Sequence, residues 1–171
     1  MGREIRNVPP NWEHPRYTEE TAHRSNLIGE YVPMFDGDYQ TACEEWLAAL
    51  DLWRSGKSPD QNAEYRYYWD WNGGPPDKTS YREHKWSPAE ASHFQVYETV
   101  SEGTPVTPHF ATKQELIEYL CTKGDFWGNK WSRQSAERFV QDEWAPSGIA
   151  VGGKFYASEQ IGDIPEADHE R

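Results

Sequence analysis

The chain has 171 residues and a formal net charge of −12. Val, Ile, Leu and Phe supply only 25 of these residues, a share below the roughly 20% that, with high net charge, is typical of disorder. Aromatic residues nevertheless make up 15% of the chain, with 9 Trp and 10 Tyr, so we expect a folded core rich in rings. The negative charge argues against direct nucleic-acid binding, because phosphates are repelled.

The cysteine pattern and the absence of long apolar runs bear on the compartment. Cys43 and Cys121 stand far apart, and we find neither a secretory leader nor an apolar run of about 20 residues. These features favour a reducing cytoplasm and no membrane contact. Cys43 lies among apolar residues at helical spacing, so a buried thiol is favoured over a nucleophile.

The first part of the chain predicts one strand and one long helix. Residues 3–8 predict a short edge strand that ends at Pro9-Pro10, and the polar residues 16–30 predict a loop or insertion. Asp38 is a good N-cap for a helix over 39–55. A buried stripe is predicted for the apolar residues of that helix: Tyr39, Ala42, Cys43, Trp46, Leu47, Leu50 and Trp53.

An aromatic segment follows at residues 65–71. Its rings alternate along the chain, so in a strand they would share one face. Such a face either covers the long helix or forms an open surface on which a planar ligand stacks. Nearby arginines could then contact a phosphate. The candidate ligand-binding residues are Tyr65, Arg66, Tyr67, Trp69, Trp71, Arg82 and Trp86.

The second half gives the clearest succession of local signals. Residues 93–100 predict a strand, and Thr112 with Glu115 forms a capping-box pattern that predicts a helix start. A second helix is predicted from Ser132, with Trp144 as a possible last member of its inner stripe. Gly152-Gly153 between apolar runs predicts a β-hairpin.

Taken together, these elements predict an α+β fold, because no regular βαβ alternation is present. We expect a single domain over residues 1–157, with a small antiparallel sheet, about three helices and an aromatic-rich core. The acidic residues 158–171 predict a mobile tail.

Several short motifs carry a resemblance to a known group of proteins. REIR at 3–6 and VPPNWEHP at 8–15 resemble the opening of a widespread family of tailed-phage and prophage proteins of unknown function. YETVSEGTPV at 97–106 resembles the central signature of that family, and FAT at 110–112 and APS at 145–147 are similar too. The resemblance implies no catalytic residues. It implies a phage protein that acts in the host bacterial cytoplasm, where small acidic phage proteins often antagonise defence.

The sequence contains no recognisable catalytic or metal-binding signature. The six histidines form no HxH or HExxH pattern, Gly73-Gly74 lacks the context of a phosphate loop, and no GxSxG elbow is present. His93 and His109 could converge, although structural roles are the simpler reading. We therefore expect no enzymatic activity, no cofactor and no metal site.

Three functions remain open from the sequence. The first is a non-enzymatic anti-defence protein that sequesters a nucleotide-type immune signal on the aromatic surface. The second is an acidic inhibitor that binds a host defence protein, with mimicry of DNA as one route. The charge is spread, however, as −5 over residues 1–85 and −7 over 86–171. The third is a virion or assembly component. Homo-oligomerisation is compatible with each of them.

Overall fold

A computed structural model of the chain describes residues 2–81, 86–101, 103–125 and 128–164. The chain divides into two compact units, which are Met1–Pro33 with Lys85–Arg171 (unit 1) and Met34–His84 (unit 2). Among the described residues, no helix combines the length and the apolar character that crossing a membrane requires.

The prediction of an α+β fold is confirmed, since helices and antiparallel strands are both present. The strands are Gly2–Val8 (β1), His93–Glu98 (β2), Thr104–Pro105 (β3), Trp144–Pro146 (β4), Gly148–Val151 (β5) and Lys154–Ala157 (β6). The α-helices are Tyr39–Arg54 (α1), Tyr68–Asn72 (α2), Lys113–Thr122 (α3) and Arg133–Asp142 (α4). The expectation of one domain over residues 1–157 stays a prediction, because compact units need not fold independently.

Unit 1 is built on a four-stranded antiparallel sheet with the order β3-β2-β1-β4. The prediction of β1 as an edge strand is wrong, because β1 pairs with β2 on one side and with β4 on the other. Ile5 lies opposite Val96, and Glu4 lies opposite both Tyr97 and Trp144. Trp144 therefore belongs to a strand and not to the end of a helix.

Helices α3 and α4 enclose an apolar core together with the sheet. Helix α3 begins at the predicted capping box, where the Glu115 N–H donates to the Thr112 hydroxyl and the Thr112 N–H donates to the Glu115 carboxylate, both at 3.1 Å. Helix α4 begins at Ser132 as predicted. This core is largely aliphatic: Val96, Val106, Leu116, Ile117, Leu120, Trp131, Ala136, Phe139, Val140 and Ala145.

The opposite face of the sheet carries polar and aromatic side chains. Strand alternation places Arg6, Gln95 and Tyr97 on the face opposite Val96. The Arg6 guanidinium carbon lies 4.4 Å from the centre of the Tyr97 ring. The expected aromatic clusters are present, and one of them lies on this face, where His14 contacts Tyr97.

Residues 15–32 form an ordered antiparallel ribbon whose ends pair with each other. The Tyr17 N–H donates to the Glu30 carbonyl at 2.9 Å, the Gly29 N–H donates to the Tyr17 carbonyl at 2.9 Å, and Arg16 bridges to Tyr31. The segment predicted as a loop or insertion is therefore closed by backbone hydrogen bonds. We call residues 15–32 the ribbon.

The last described part of unit 1 is more ordered than the sequence indicates. The predicted hairpin is confirmed, with β5 and β6 joined at Gly152-Gly153, both of which have positive φ. A mobile tail was expected from residue 158, but Ser158–Asp163 forms a 3-10 helix. This helix packs on α4, since the Gly162 N–H donates to the Ser135 hydroxyl at 2.9 Å. Residues 165–171 lie outside the described part.

Unit 2 is a small helical unit. Helix α1 starts at Asp38 as predicted, because the Asp38 carboxylate accepts from the Thr41 N–H at 2.9 Å. Leu50, Trp53 and Tyr68 form its buried cluster. Leu47 was predicted to be buried but is 54% exposed. The short helix α2 packs on α1 through Tyr68. The other predicted members of the stripe are half-buried: Tyr39, Ala42, Cys43 and Trp46.

Candidate functional site

The aromatic segment of unit 2 is partly helical and does not form the strand considered from its alternation. Tyr67 is the N-cap of α2, which contains Tyr68, Trp69 and Trp71, whereas Tyr65 and Arg66 precede the helix. The helical turn buries Tyr68 against α1 and leaves four other rings at the surface. Their exposed fractions are 37% for Tyr65, 41% for Tyr67, 43% for Trp69 and 43% for Trp71. We call residues 65–71 the aromatic surface.

The rings of the aromatic surface hold each other in pairs. Tyr67 and Trp69 stack in parallel, with centroids 4.7 Å apart and planes 7° apart. Tyr65 meets Trp71 edge to face at 5.4 Å. The Arg66 guanidinium carbon lies 5.2 Å from the Tyr67 ring centre. Such contacts are each worth about 0.5–1.5 kcal/mol, so the rings are oriented before any partner arrives.

Five of the seven predicted ligand-binding residues are thus exposed within one short segment. Trp86 belongs to unit 1, where its ring contacts Trp12 with centroids 4.7 Å apart. Arg82 lies outside the described residues. Three cavities are lined entirely by described residues of unit 1, and the aromatic surface lines none of these three. The four rings are exposed side chains outside these cavities.

Three acidic residues lie close to the aromatic surface along the chain. Asp60, Glu64 and Asp70 are exposed within or beside it. Unit 2 as a whole has ten acidic and five basic residues, a net charge of −5 over residues 34–84. The electrostatic potential of this unit therefore favours cationic groups over phosphates.

A groove in unit 1 was not anticipated from the sequence. Two cavities, of about 620 and 920 Å³, share the lining residues Glu30, Tyr31, Pro105 and Val106 and are therefore contiguous. The ribbon forms one wall. The other wall is formed by the end of β2, by β3 and by the residues up to His109. We call the two cavities together the groove.

A buried hydrogen-bond network joins the two walls of the groove. The Tyr97 hydroxyl accepts from Trp12 Nε1–H at 3.1 Å and can donate to Gln95 Oε1 at 3.1 Å or to His14 Nδ1 at 3.2 Å. His14 Nε2–H donates to the Val32 carbonyl at 2.7 Å. The ribbon is thereby fixed to the middle of β2.

The protonation state of His14 follows from its surroundings. Burial lowers the pKa of His14, the hydrogen bond to the Val32 carbonyl raises it, and the charges of Arg6 and Arg16 lower it further. Burial is the largest of these effects. His14 is therefore neutral near pH 7, with the proton on Nε2 and a lone pair on Nδ1 that faces the Tyr97 hydroxyl.

Two histidines and two cysteines are further candidates for a metal-binding or catalytic role. His93 and His109 do come together, with ring centroids 5.4 Å apart, but no group of three or more metal-binding side chains exists among the described residues. Burial raises the pKa of the Cys121 thiol, which disfavours a reactive thiolate. Cys43 is half-buried in α1.

The comparisons with known proteins do not assign this chain to a family. Neither a protein-family model, nor a curated protein, nor a solved structure matches this chain. The aromatic surface and the groove are therefore interpreted from their own chemistry.

Proposed function

We propose that this chain is a non-enzymatic binding protein that docks on a basic protein partner through the aromatic surface. The observation that carries the proposal is the exposure of four Tyr and Trp rings within seven residues, with carboxylates beside them. Exposed clusters of this kind are uncommon away from binding sites. Tyr and Trp are also the residues that contribute most strongly to protein interfaces.

The open geometry favours a protein over a small ligand at this surface. Stacking on an aromatic side chain contributes about 1–3 kcal/mol per base, whereas micromolar binding needs about 8 kcal/mol. A single nucleotide on an open face therefore falls short, and the net charge of −5 on unit 2 repels its phosphates. A protein partner can bury more than one ring, and each buried hot-spot ring contributes about 2 kcal/mol or more.

The negative charge of unit 2 supports a basic partner. Lys and Arg side chains can stack on the exposed rings and pair with Asp60, Glu64 and Asp70. A second copy of this chain carries the same charge of −12 and is disfavoured as the partner. With the phage resemblance of the sequence, the proposal is a cytoplasmic inhibitor of a basic host defence protein. Mimicry of DNA is one route to that inhibition.

The test is affinity purification from a bacterial host lysate, with wild type compared to the double variant Trp69→Ala, Trp71→Ala. The control is Trp144→Ala, because Trp144 is 49% exposed but lies in unit 1. We expect wild type and control to retain the same basic protein and the double variant to bind it at least tenfold more weakly. Far-UV circular dichroism checks that all three proteins are folded.

Two further measurements vary the salt concentration and add duplex DNA as a competitor. The affinity should fall as NaCl rises, because exposed charge pairs are screened. Competition by duplex DNA for the captured protein would indicate mimicry. Equal capture by wild type and the double variant, or detection of the chain as a component of purified virions, would contradict the proposal.

A further inference from the structure

The groove in unit 1 has the size of a ligand-binding site. Its two parts, of about 620 and 920 Å³, fall within the range of about 300–1,000 Å³ that is typical of small-molecule pockets. Both walls are held in place, one by the sheet and the other by the ribbon with its backbone ladder. The groove is thus available without any rearrangement of the described residues.

The arginines of unit 1 differ according to whether they line the groove. Six arginines of unit 1 lie in the described part of the chain. Four of them form ion pairs: Arg3 with Asp125, Arg6 with Glu4, Arg133 with Glu118, and Arg138 with Asp142. The other two, Arg16 and Arg24, form no ion pair within the described residues, and both line the groove. Neither guanidinium is neutralised by a carboxylate of the described residues, so each can contact an anionic group of a ligand.

Arg16 is already oriented for such a ligand. Its guanidinium carbon lies 3.7 Å from the centre of the Tyr31 ring, and Nη1–H donates to the Gly29 carbonyl at 2.6 Å. The two contacts fix the plane of the guanidinium and leave its remaining N–H groups without partners in the described part. A guanidinium held in this way binds phosphate oxygens with little further loss of entropy.

The rest of the lining excludes a ligand that is only anionic. Glu13, Glu30 and Glu98 also line the groove and form no ion pair within the described residues. They call for N–H or O–H donors on the ligand. The rings of Trp12 and Tyr31 add flat apolar area. A ligand that fits combines an anionic group, hydrogen-bond donors and a planar ring, and a nucleotide has all three.

We propose that the groove binds a nucleotide. The phosphate contacts Arg16, the base lies against the aromatic lining, and the carboxylates accept from base amino groups or ribose hydroxyls. The two contiguous cavities provide room for a second nucleoside unit. This site is separate from the aromatic surface, and the proposal does not depend on the protein partner.

The test is calorimetric titration of the full chain with a panel of nucleotides. The probes are AMP, GMP, cyclic di-AMP, cyclic di-GMP and ADP-ribose, with adenosine and ribose 5-phosphate as the phosphate-free and base-free references. We expect at least one nucleotide to bind tenfold or more tightly than either reference. A dinucleotide preferred over both mononucleotides would show that both cavities are used, and a preference for a mononucleotide would assign the site to one cavity.

Matched variants locate the binding. Arg16→Gln removes the charge at the groove, and Arg66→Gln removes an exposed arginine that also lies over a tyrosine ring but belongs to the aromatic surface. We expect Arg16→Gln to weaken nucleotide binding by about 10- to 100-fold and Arg66→Gln to leave it unchanged. The proposal is overturned if no nucleotide in the panel binds, if ribose 5-phosphate binds as tightly as the nucleotides, or if the two variants behave alike.

Discussion

Replacing Tyr97 by Phe tests whether the network beneath the groove stabilises unit 1. The hydroxyl of Tyr97 lies 3.1–3.2 Å from Trp12 Nε1, His14 Nδ1 and Gln95 Oε1. Phe keeps the ring under the Arg6 guanidinium, so the substitution creates no large cavity. Its effect is therefore confined to the lost hydrogen bonds.

The magnitude follows from the burial of the groups that lose their partner. A buried polar group left unsatisfied costs about 1–3 kcal/mol. His14 and Gln95 are buried, whereas Trp12 is half-buried and can reach water. The hydroxyl has one proton and can donate to only one of these two buried acceptors at a time. We therefore expect Tyr97→Phe to lower the free energy of unfolding by about 1–3 kcal/mol.

Urea unfolding followed by circular dichroism measures this change. The matched control is Tyr65→Phe, because Tyr65 is exposed and its hydroxyl forms no hydrogen bond within the described residues. The control should stay within about 0.5 kcal/mol of wild type. If Tyr97→Phe also stays within that margin, the network does not hold the ribbon to the sheet as we have argued.

Two further predictions concern the core and the pH dependence. Leu120 is fully buried in unit 1, so Leu120→Ala should lower the free energy of unfolding by about 2–5 kcal/mol, while the exposed Leu47→Ala should change it by less than about 0.5 kcal/mol in the same urea experiment. Burial, with the charges of Arg6 and Arg16, lowers the pKa of His14 in the folded chain. As the pH decreases, the unfolded chain therefore binds a proton at His14 before the folded chain does, and the free energy of unfolding decreases below about pH 6.5. His14→Gln should make that fall shallower, and an equally steep fall in the variant would count against a role for His14.

Local signals predicted the starts of α1, α3 and α4 and the hairpin. The caps at Asp38, Thr112 and Ser132 each depend on a hydrogen bond to a residue three positions away. The Gly152-Gly153 turn depends only on the conformational freedom of two adjacent glycines. Interactions between residues no more than three positions apart depend only on the local sequence, so they can be predicted without knowledge of the fold.

Pairing over long distances could not be predicted in the same way. The inner position of β1 depends on β2 and β4, whose residues are far along the chain. The burial of Leu47 in α1 was mispredicted for the same reason. Leu47 stands at helical spacing from the buried residues of α1, but no other element covers its side chain. Periodicity indicates which residues share a face, and only the tertiary partners decide whether that face is buried.

The two candidate sites differ in how far they could be predicted. Tyr65 to Trp71 lie close together in sequence, so their clustering could be predicted, but the helix α2 and the exposure of the rings could not. The groove could not be predicted from the sequence, because the orientation of Arg16 depends on contacts with Tyr31 and Gly29 across the ribbon. The polar composition of residues 16–30 resembles that of an ordinary loop, and nothing in it indicates the pairing of its two ends.

The inner position of β1 has a consequence for synthesis of the chain. A ribosome makes residues 2–8 first, but their neighbours at 93–98 and 144–146 emerge much later. Unit 2, between them, is translated in full before the first strand meets either neighbour. During that interval both edges of the nascent strand lack hydrogen-bonded neighbours, so the strand is exposed to non-native pairing and to chaperones. The four-stranded sheet can therefore form only late in synthesis.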